Sequence, residues 1–354
     1  MEINAVKADA AADVKMNTFG THIRFTSFGE SHGPAVGGVI DGFPAGRTIG
    51  MDFVRQQVQQ RQPHADFSTP RHESDQITWL SGLKFIDDTS AITLGTPIAF
   101  YISNNDVRPL DYTTTPRPGH ADMTYLLKYG IQPTGGGRAS ARETVTRVVA
   151  GAMCEQLLQE KGIRIFAYTH AIGNIKADDN YNNLNLNTIY DNATRCPDAD
   201  TDSKMLQLLT QIKAQKDSIG GIVKIIVKGM PAGVGEPIFH RLPALLAHAI
   251  LTINACKGFD YGSGFEAVEK TGSELNDPIL PDWQTMPLQA PHTMTNNAGG
   301  CLGGITTGND IVCRAVFKPT PTIGGEGRHD VCVVPRAVSV VKAMTALTLA
   351  DVLL

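Results

Sequence analysis

The chain has 354 residues, 42% hydrophobic and 19% charged, the balance of a globular protein long enough to bury a sizeable core. A formal net charge of −4 gives no electrostatic reason to expect nucleic acid as a partner, and no apolar run approaches the ~18 residues that would cross a bilayer. Six scattered cysteines form no C-x-x-C pair and no metal-ligand spacing, so free buried thiols in a reducing cytoplasm are expected ahead of disulfides.

In chain order, "MEINAVKADAAADVK" (1–15) lacks the apolar core of a secretory signal and the arginines of a transit peptide. It reads as a loose leader, with Met16 as natural a start as Met1. Short strands are expected at "THIRFTSF" (21–28), "AVGGVIDGF" (35–43), "DQITWLSGL" (75–83) and "TPIAFYIS" (96–103). A helix is expected at "DFVRQQVQQRQ" (52–62), which stops before Pro63. A second is expected at "SARETVTRVVAGAMCEQLLQEKG" (140–162), where a serine followed three residues later by a glutamate predicts a capping box and a glycine marks the end. The stretch 173–216 is polar and Asn/Asp-rich, then helical at "KMLQLLTQIKAQK" (204–216), an excursion between halves at about 16–172 and 217–354.

The halves echo each other. "GGVIDGFPAG" (37–46) returns as "IIVKGMPAG" (225–233), "LGTPIAFYISNND" (94–106) as "TTGNDIVCRAVFKPT" (306–320), and "ARETVTRVVAGAM" (141–153) as "GRHDVCVVPRAVSVVKAM" (327–344). Three echoes in one order suggest an internal duplication, such as two sheets with helices packed between them. A chance run of common turn motifs is the competing reading.

Four segments carry chemistry. In "FGESHGPAVGG" (28–38), Glu30, Ser31 and His32 lie between glycines that let a ligand approach the backbone, and imidazole suits proton transfer near neutrality. A satisfied structural histidine explains that loop alone equally well. In "RPGHADMTY" (117–125), a Pro-Gly turn puts His120 at its exit beside Arg117 and Asp122; two such histidines favour a shared site. In "TGGGRASARETVTR" (134–147), three glycines, Arg138, Ser140 and Arg142 run into a helix N-terminus, where amides, dipole and guanidinium forks together make an anion site. It is neither a Walker loop nor a Rossmann fingerprint, and a glycine-rich hairpin with solvated arginines is its lesser alternative. "NNAGGCLGGITTG" (296–308), "FKPTPT" (317–322) and "GRHD" (327–330) supply a second anion surface, which fits a phosphorylated cofactor with a phosphorylated or carboxylated substrate. There is no H-E-x-x-H, no G-x-S-x-G and no aspartate-rich metal loop. A metal hydrolase using His22, His32 and His120 would leave the arginines and glycines unexplained.

Taken together, "FGESHG", "RPGHAD", "GGGR-x-SARET", "DSIGG", "INA-x-KG", "NNAGG-x-LGGI", "KPT" and "GRHD" resemble, in this order, the diagnostic segments of chorismate synthases. The resemblance covers 16–354. It implies an α+β fold, a β-α-β sandwich of two pseudo-duplicated halves with helices packed between antiparallel sheets, in a single domain that assembles as a cytoplasmic homotetramer. It implies conversion of 5-enolpyruvylshikimate 3-phosphate to chorismate and phosphate by anti-1,4-elimination. Reduced FMN is required without net redox change, and NADPH enters as a candidate reductant. No metal, nucleic acid or membrane is implied.

Carried over by motif, His32 would donate a proton near the flavin and His120 would help protonate the departing phosphate. Asp330 would assist proton removal at the flavin N5 edge, supported by Ser31 and Ser140. Flavin contacts would fall on Arg138, Ala139, Ser140, Asn254, Ala255, Gly303, Lys318, Pro319, Thr320, Pro321, Thr322 and Arg328, and contacts to NADPH or substrate anions on Arg61 and Arg142.

The chain also departs from the family pattern. "QQRQPHADF" lacks the family's second arginine after Pro63, for which Arg71 is the nearest substitute, and the "NNDVRPLDYTTT" run differs from the common form. Lys342 stands where the family has a glutamate, and only "IGGEG" separates "KPTPT" from "RHD", where the family has a longer loop over the flavin. These departures keep open a flavin- or phosphate-binding homologue without turnover, alongside a metal-dependent phosphatase.

Overall fold

A computed structural model describes residues 17–107, 115–323 and 329–354. The leader at 1–15, Arg328 and most of the "IGGEG" loop lie outside the described residues. The first half runs β1 (Thr18–Phe19), β2 (Arg24–Gly29), β3 (Ala35–Asp41), β4 (Thr48–Gly50), α1 (Met51–Arg61), β5 (Ile77–Trp79), β6 (Leu83–Phe85), β7 (Ser90–Thr93), β8 (Ile98–Ser103), α2 (Asp122–Tyr129) and α3 (Thr144–Glu160). The second runs β9 (Arg164–Ile172), β10 (Ile175–Lys176), α4 (Ala199–Ala214), β11 (Gly221–Lys228), α5 (Leu242–Leu251), β12 (Cys256–Tyr261), α6 (Gly272–Leu275), β13 (Cys301–Leu302), β14 (Ile305–Thr306), β15 (Ile311–Phe317) and α7 (Val334–Val352).

Two five-stranded sheets form, ordered β1-β2-β3-β8-β5 and β10-β9-β11-β15-β12, with every pairing antiparallel. Each half lays down a strand pair (β2–β3; β9–β11), a helix (α1; α5), an outer strand (β5; β12), an inner strand (β8; β15) and a long helix (α3; α7). This is the pseudo-duplicated sandwich expected from the echoes. The strands bury alternate residues, as Ile98, Phe100 and Ile102 do on β8.

Between the sheets, α3 packs on β2, β3 and β9, while α7 packs on β9 and β11, and α1 and α5 flank them. Both long helices are buried nearly all round, mostly through apolar side chains, as sheets and neighbouring helices cover their faces. They cross at Gly151, where a Cβ would sit 2.4 Å from the Cα of Ala343, so only glycine admits this approach.

Two helix starts differ from expectation. Ser140 accepts from the backbone N of Arg142, but Glu143 does not reach back to complete a capping box. Its carboxylate pairs instead with Arg147 one turn on, at 2.8 Å, and a short 3-10 turn (Ala141–Glu143) precedes α3. The excursion helix α4 begins before 204 because Asp198 caps it by accepting from Asp200 N, with Asp200 and Asp202 in its first turn.

Lys342 is locally compensated: its ammonium lies 2.8 Å from Glu155 on α3 and 3.3 Å from Gln57 Oε1 on α1. All six cysteines are free thiols. Burial pushes Cys301 and Cys332 up to about 12, which suits packing rather than nucleophilic chemistry. No described helix is long and apolar enough to cross a membrane.

Candidate active site

The turn between β2 and β3 carries Glu30, Ser31 and His32, and other parts of the chain satisfy its backbone. Pairing of Ala35 with Ser103 brings Asn104 beside the turn, where its side-chain amide donates to Glu30 O (2.9 Å) and Gly33 O (2.8 Å). Ser31 N donates to Gly137 O at 3.4 Å, and Ser31 itself is buried. The His32 ring rests on Gly135, whose φ is 66° and where a Cβ would lie 1.9 Å from His32 Nδ1. The triple glycine is therefore the floor beneath an imidazole, and the first and third motifs form one site. Glu30, which has no catalytic role in the sequence reading, serves through its carbonyl.

The guanidinium forks behave differently from expectation. Arg138 folds back to donate to Gly29 O (3.1 Å) and Ser27 O (3.2 Å). Arg142 is buried and commits all three nitrogens, to Asp75, Asn104 Oδ1 (2.8 Å) and Ser103 O (3.2 Å). Carbonyls at strand ends and turns need donors, and these forks supply them. Arg61 is buried too, donating to Thr144 Oγ1 (2.9 Å) and Ala141 O (2.6 Å); burial, then the nearby Arg336 charge, lower its pKa to about 9. Arg71, the substitute for the missing arginine, is spent on Ser31 and Glu73.

The turn holding His120 docks against the segment after β15. Lys318 Nζ donates to Gly119 O (3.0 Å), Gly119 abuts Pro321, and Thr322 Oγ1 lies 3.1 Å from His120 Nε2. His120 Nδ1 faces Pro118 O at 3.0 Å and so carries the hydrogen, which leaves Nε2 as the acceptor in the neutral ring. Burial, outweighing the Pro118 hydrogen bond, holds this imidazole below its ordinary pKa. Arg117 grips Asp122 with Nε and Nη2 at 2.8 and 3.0 Å, and these bonds pull the buried Asp122 carboxyl down.

Further contacts extend this rim. Asn254 Nδ2 donates to Ala139 O (2.7 Å), and Ala255, in the left-handed region at φ 66°, accepts Lys318 N at its carbonyl (3.0 Å). Thr320 Oγ1 donates to Asp330 O (2.7 Å), and the Asp330 carboxylate takes Thr69 N (2.9 Å) and Arg336 Nη1 (2.8 Å). Asn254 Oδ1 is buried without a hydrogen-bond partner among the described residues, an orphaned acceptor that the ring N–H of a flavin would satisfy. Among the described residues, a Cβ added at Gly136 would find only Arg117 Nη2 and Ser140 Cβ within 4 Å, so they leave room over this glycine. On both counts the residues present fit such a group.

Gly303 is not brought to this cluster within one chain. It sits in the β13–β14 turn, whose Gly304 carbonyl accepts Leu242 N at the start of α5, whereas Asn254 follows the end of that ten-residue helix, about 15 Å along its axis. Arg328 lies outside the described residues. Among the described residues, no three His, Cys, Asp or Glu side chains converge to hold a metal ion.

Asn104, Glu73, Asp75 and Arg336 also hold these turns and were not singled out from the sequence, where Arg71 figured only as the nearest substitute for the missing arginine. "RHESD" did carry a signal: Arg71, Glu73 and Asp75 occupy alternate positions, which an extended chain turns to one side.

Turns from both halves, 30–33, 117–120 and 134–140 from the first and 254–255, 318–322 and 330 from the second, thus meet around two histidines and a lysine. The fold and these turns define a two-sheet sandwich that gathers polar turns from both halves in one place. Residues 23–354 match the family model described as chorismate synthase. The chorismate synthase of Parabacteroides distasonis is 47% identical, over 96% of this chain and 98% of the relative, and that of Phocaeicola vulgatus is 45% identical, over 95% and 97%. A crystal structure of a chorismate synthase superposes with a TM-score of 0.78 at 30% identity, covering 95% of this chain and 92% of that one. The chain belongs to the chorismate synthase family.

Proposed function

We propose that this chain releases phosphate from 5-enolpyruvylshikimate 3-phosphate by 1,4-elimination to give chorismate, with reduced FMN held at the rim built by Arg138 to Ser140, Asn254, Ala255 and Lys318 to Thr322. The observation that carries the reading is the meeting of the two histidine turns with that rim. Reduced FMN, when bound, supplies an electron-rich partner for an electron-poor transition state.

The chain's own groups do the rest. Lys318 and Arg117 place positive charge beside His120, where a departing phosphate would gather negative charge. His120 is held below its ordinary pKa with Nε2 toward Thr322. A phosphate dianion at that nitrogen adds the opposite charge that raises the pKa, so protonation accompanies substrate binding and readies the acid. His32, seated on Gly135, is the second proton donor, and Asp330, fixed by Thr69 and Arg336, is the carboxylate available for proton removal. Ser31 and Ser140 support them, the first gripped by Arg71 and the second capping Arg142 N. NADPH as reductant, a homotetrameric assembly and a cytoplasmic setting complete the proposal.

Replacing His32 or His120 by alanine is expected to cost about 10²–10⁴ in turnover, the range for general acid–base groups. Near-native rates in either variant would remove that histidine from the site.

A further inference from the structure

We infer that Glu73 is a positioning residue for this reaction, setting Arg71 so that Arg71 in turn fixes the turn bearing Ser31 and His32. The inference rests on the assignment of that turn to the active site.

The turn has no regular structure of its own, so the placement of His32 depends on what grips the backbone around it. Asn104 takes the carbonyls of Glu30 and Gly33, and Gly135 lies beneath the imidazole. A further grip is Arg71, whose Nη1 donates to Ser31 Oγ (3.0 Å) and whose Nη2 donates to Ser31 O (3.1 Å). A long side chain of this kind holds one geometry only if its planar head is clamped.

Glu73 is the clamp. Its Oε1 accepts both Arg71 Nε (3.0 Å) and Nη2 (2.6 Å), so Nη2 links Glu73 directly to Ser31. Its Oε2 accepts the backbone N of Asn105 (2.8 Å) and Asp106 (3.3 Å), anchoring the pair to the exit of β8. The Arg71 and Glu73 side chains are 15% and 5% exposed, so the ion pair is largely out of water. A buried pair contributes little net stability, because desolvation offsets the attraction. What it supplies is orientation, and displacement of a catalytic group by about 1 Å costs about 10² in rate.

Glu73→Gln is the informative variant. An amide keeps the volume but carries one acceptor and one donor. In either orientation its NH2 faces N–H groups, those of Arg71 or those of Asn105 and Asp106. The test is steady-state kinetics with reduced flavin on Glu73→Gln, Arg71→Ala, the double variant and His32→Ala, with urea midpoints measured in parallel.

Each single variant is expected to lose about 10²-fold in kcat, with KM for the phosphorylated substrate little changed. The urea midpoint falls as well, because each leaves a buried partner unpaired, so the kinetics are read where every variant is folded. The double variant should match Arg71→Ala within about twofold, since Glu73 acts through Arg71. Near-native kcat in Glu73→Gln and Arg71→Ala with an inactive His32→Ala overturns this inference and leaves the site intact. Multiplying losses in the double variant also overturn it. A fully active His32→Ala removes the site assignment itself, so the two failures are distinguishable.

Discussion

His32 lies against Gly135 so closely that the two positions act as one unit. An alanine there would place its Cβ 1.9 Å from Nδ1, at a backbone φ of 66° that costs about 1–2 kcal/mol for a residue with a side chain. The imidazole must move, so Gly135→Ala is expected to lower turnover by about 10²-fold while the protein stays folded. Stopped-assay kinetics beside a thermal melt check this; full activity would mean that His32 does not work from this position. The histidine turns were legible because their chemistry is local: a titratable ring beside glycine or Pro-Gly. Their partners were not. Asp75 and Arg142 are 67 residues apart, and Asn104 and Arg142 are 38 apart. Nothing in either segment says which distant carbonyl or carboxylate a guanidinium will choose. Arg138 and Arg142 therefore read as ligand-facing forks, although orphan carbonyls of the turns and strands claim them.

Among the elements, α1, α3 and α7 share a polar contact inside an apolar layer. Lys342 on α7 meets Glu155 on α3 and Gln57 on α1, with Phe53 beneath its ammonium at 5.9 Å. A charge reversal at this position counted as a departure in the sequence, but Glu155 balances it, so it gives no reason to expect lost turnover. Lys342→Met would leave Glu155 buried and unpaired, and is expected to destabilise the protein by about 3–5 kcal/mol. Adding Glu155→Leu should recover most of the loss, because a well-packed apolar pair replaces a buried ion pair at little cost. Urea denaturation of the three proteins measures both effects, and a single variant within about 1 kcal/mol of the parent would show the pair to be solvated. Strand and helix positions were mostly legible from period and breakers. The start of α3 was not, because Arg147 draws Glu143 forward and a capping box needs it to turn back.

At the scale of the molecule, duplication explains why the site lies where it does. Each half contributes a sheet and a long helix, and the helices fill the space between the sheets, so turns at the strand ends of both halves are left to meet. Sequence echoes revealed the duplication, since a repeated strand–helix order leaves repeated turn chemistry. They could not say which turns would face each other, and Gly303 shows the limit: its glycine-rich motif resembles a ligand loop, yet α5 holds it away from Asn254 in the same chain. On the proposed function, these turns eliminate phosphate with the help of reduced flavin. The direct measurement is an anaerobic assay of the purified chain with 5-enolpyruvylshikimate 3-phosphate and chemically reduced FMN, following phosphate and chorismate together. Equal amounts of both are expected, with none formed when FMN is oxidised or omitted. Phosphate release that ignores the flavin, or no release with reduced flavin present, would contradict it.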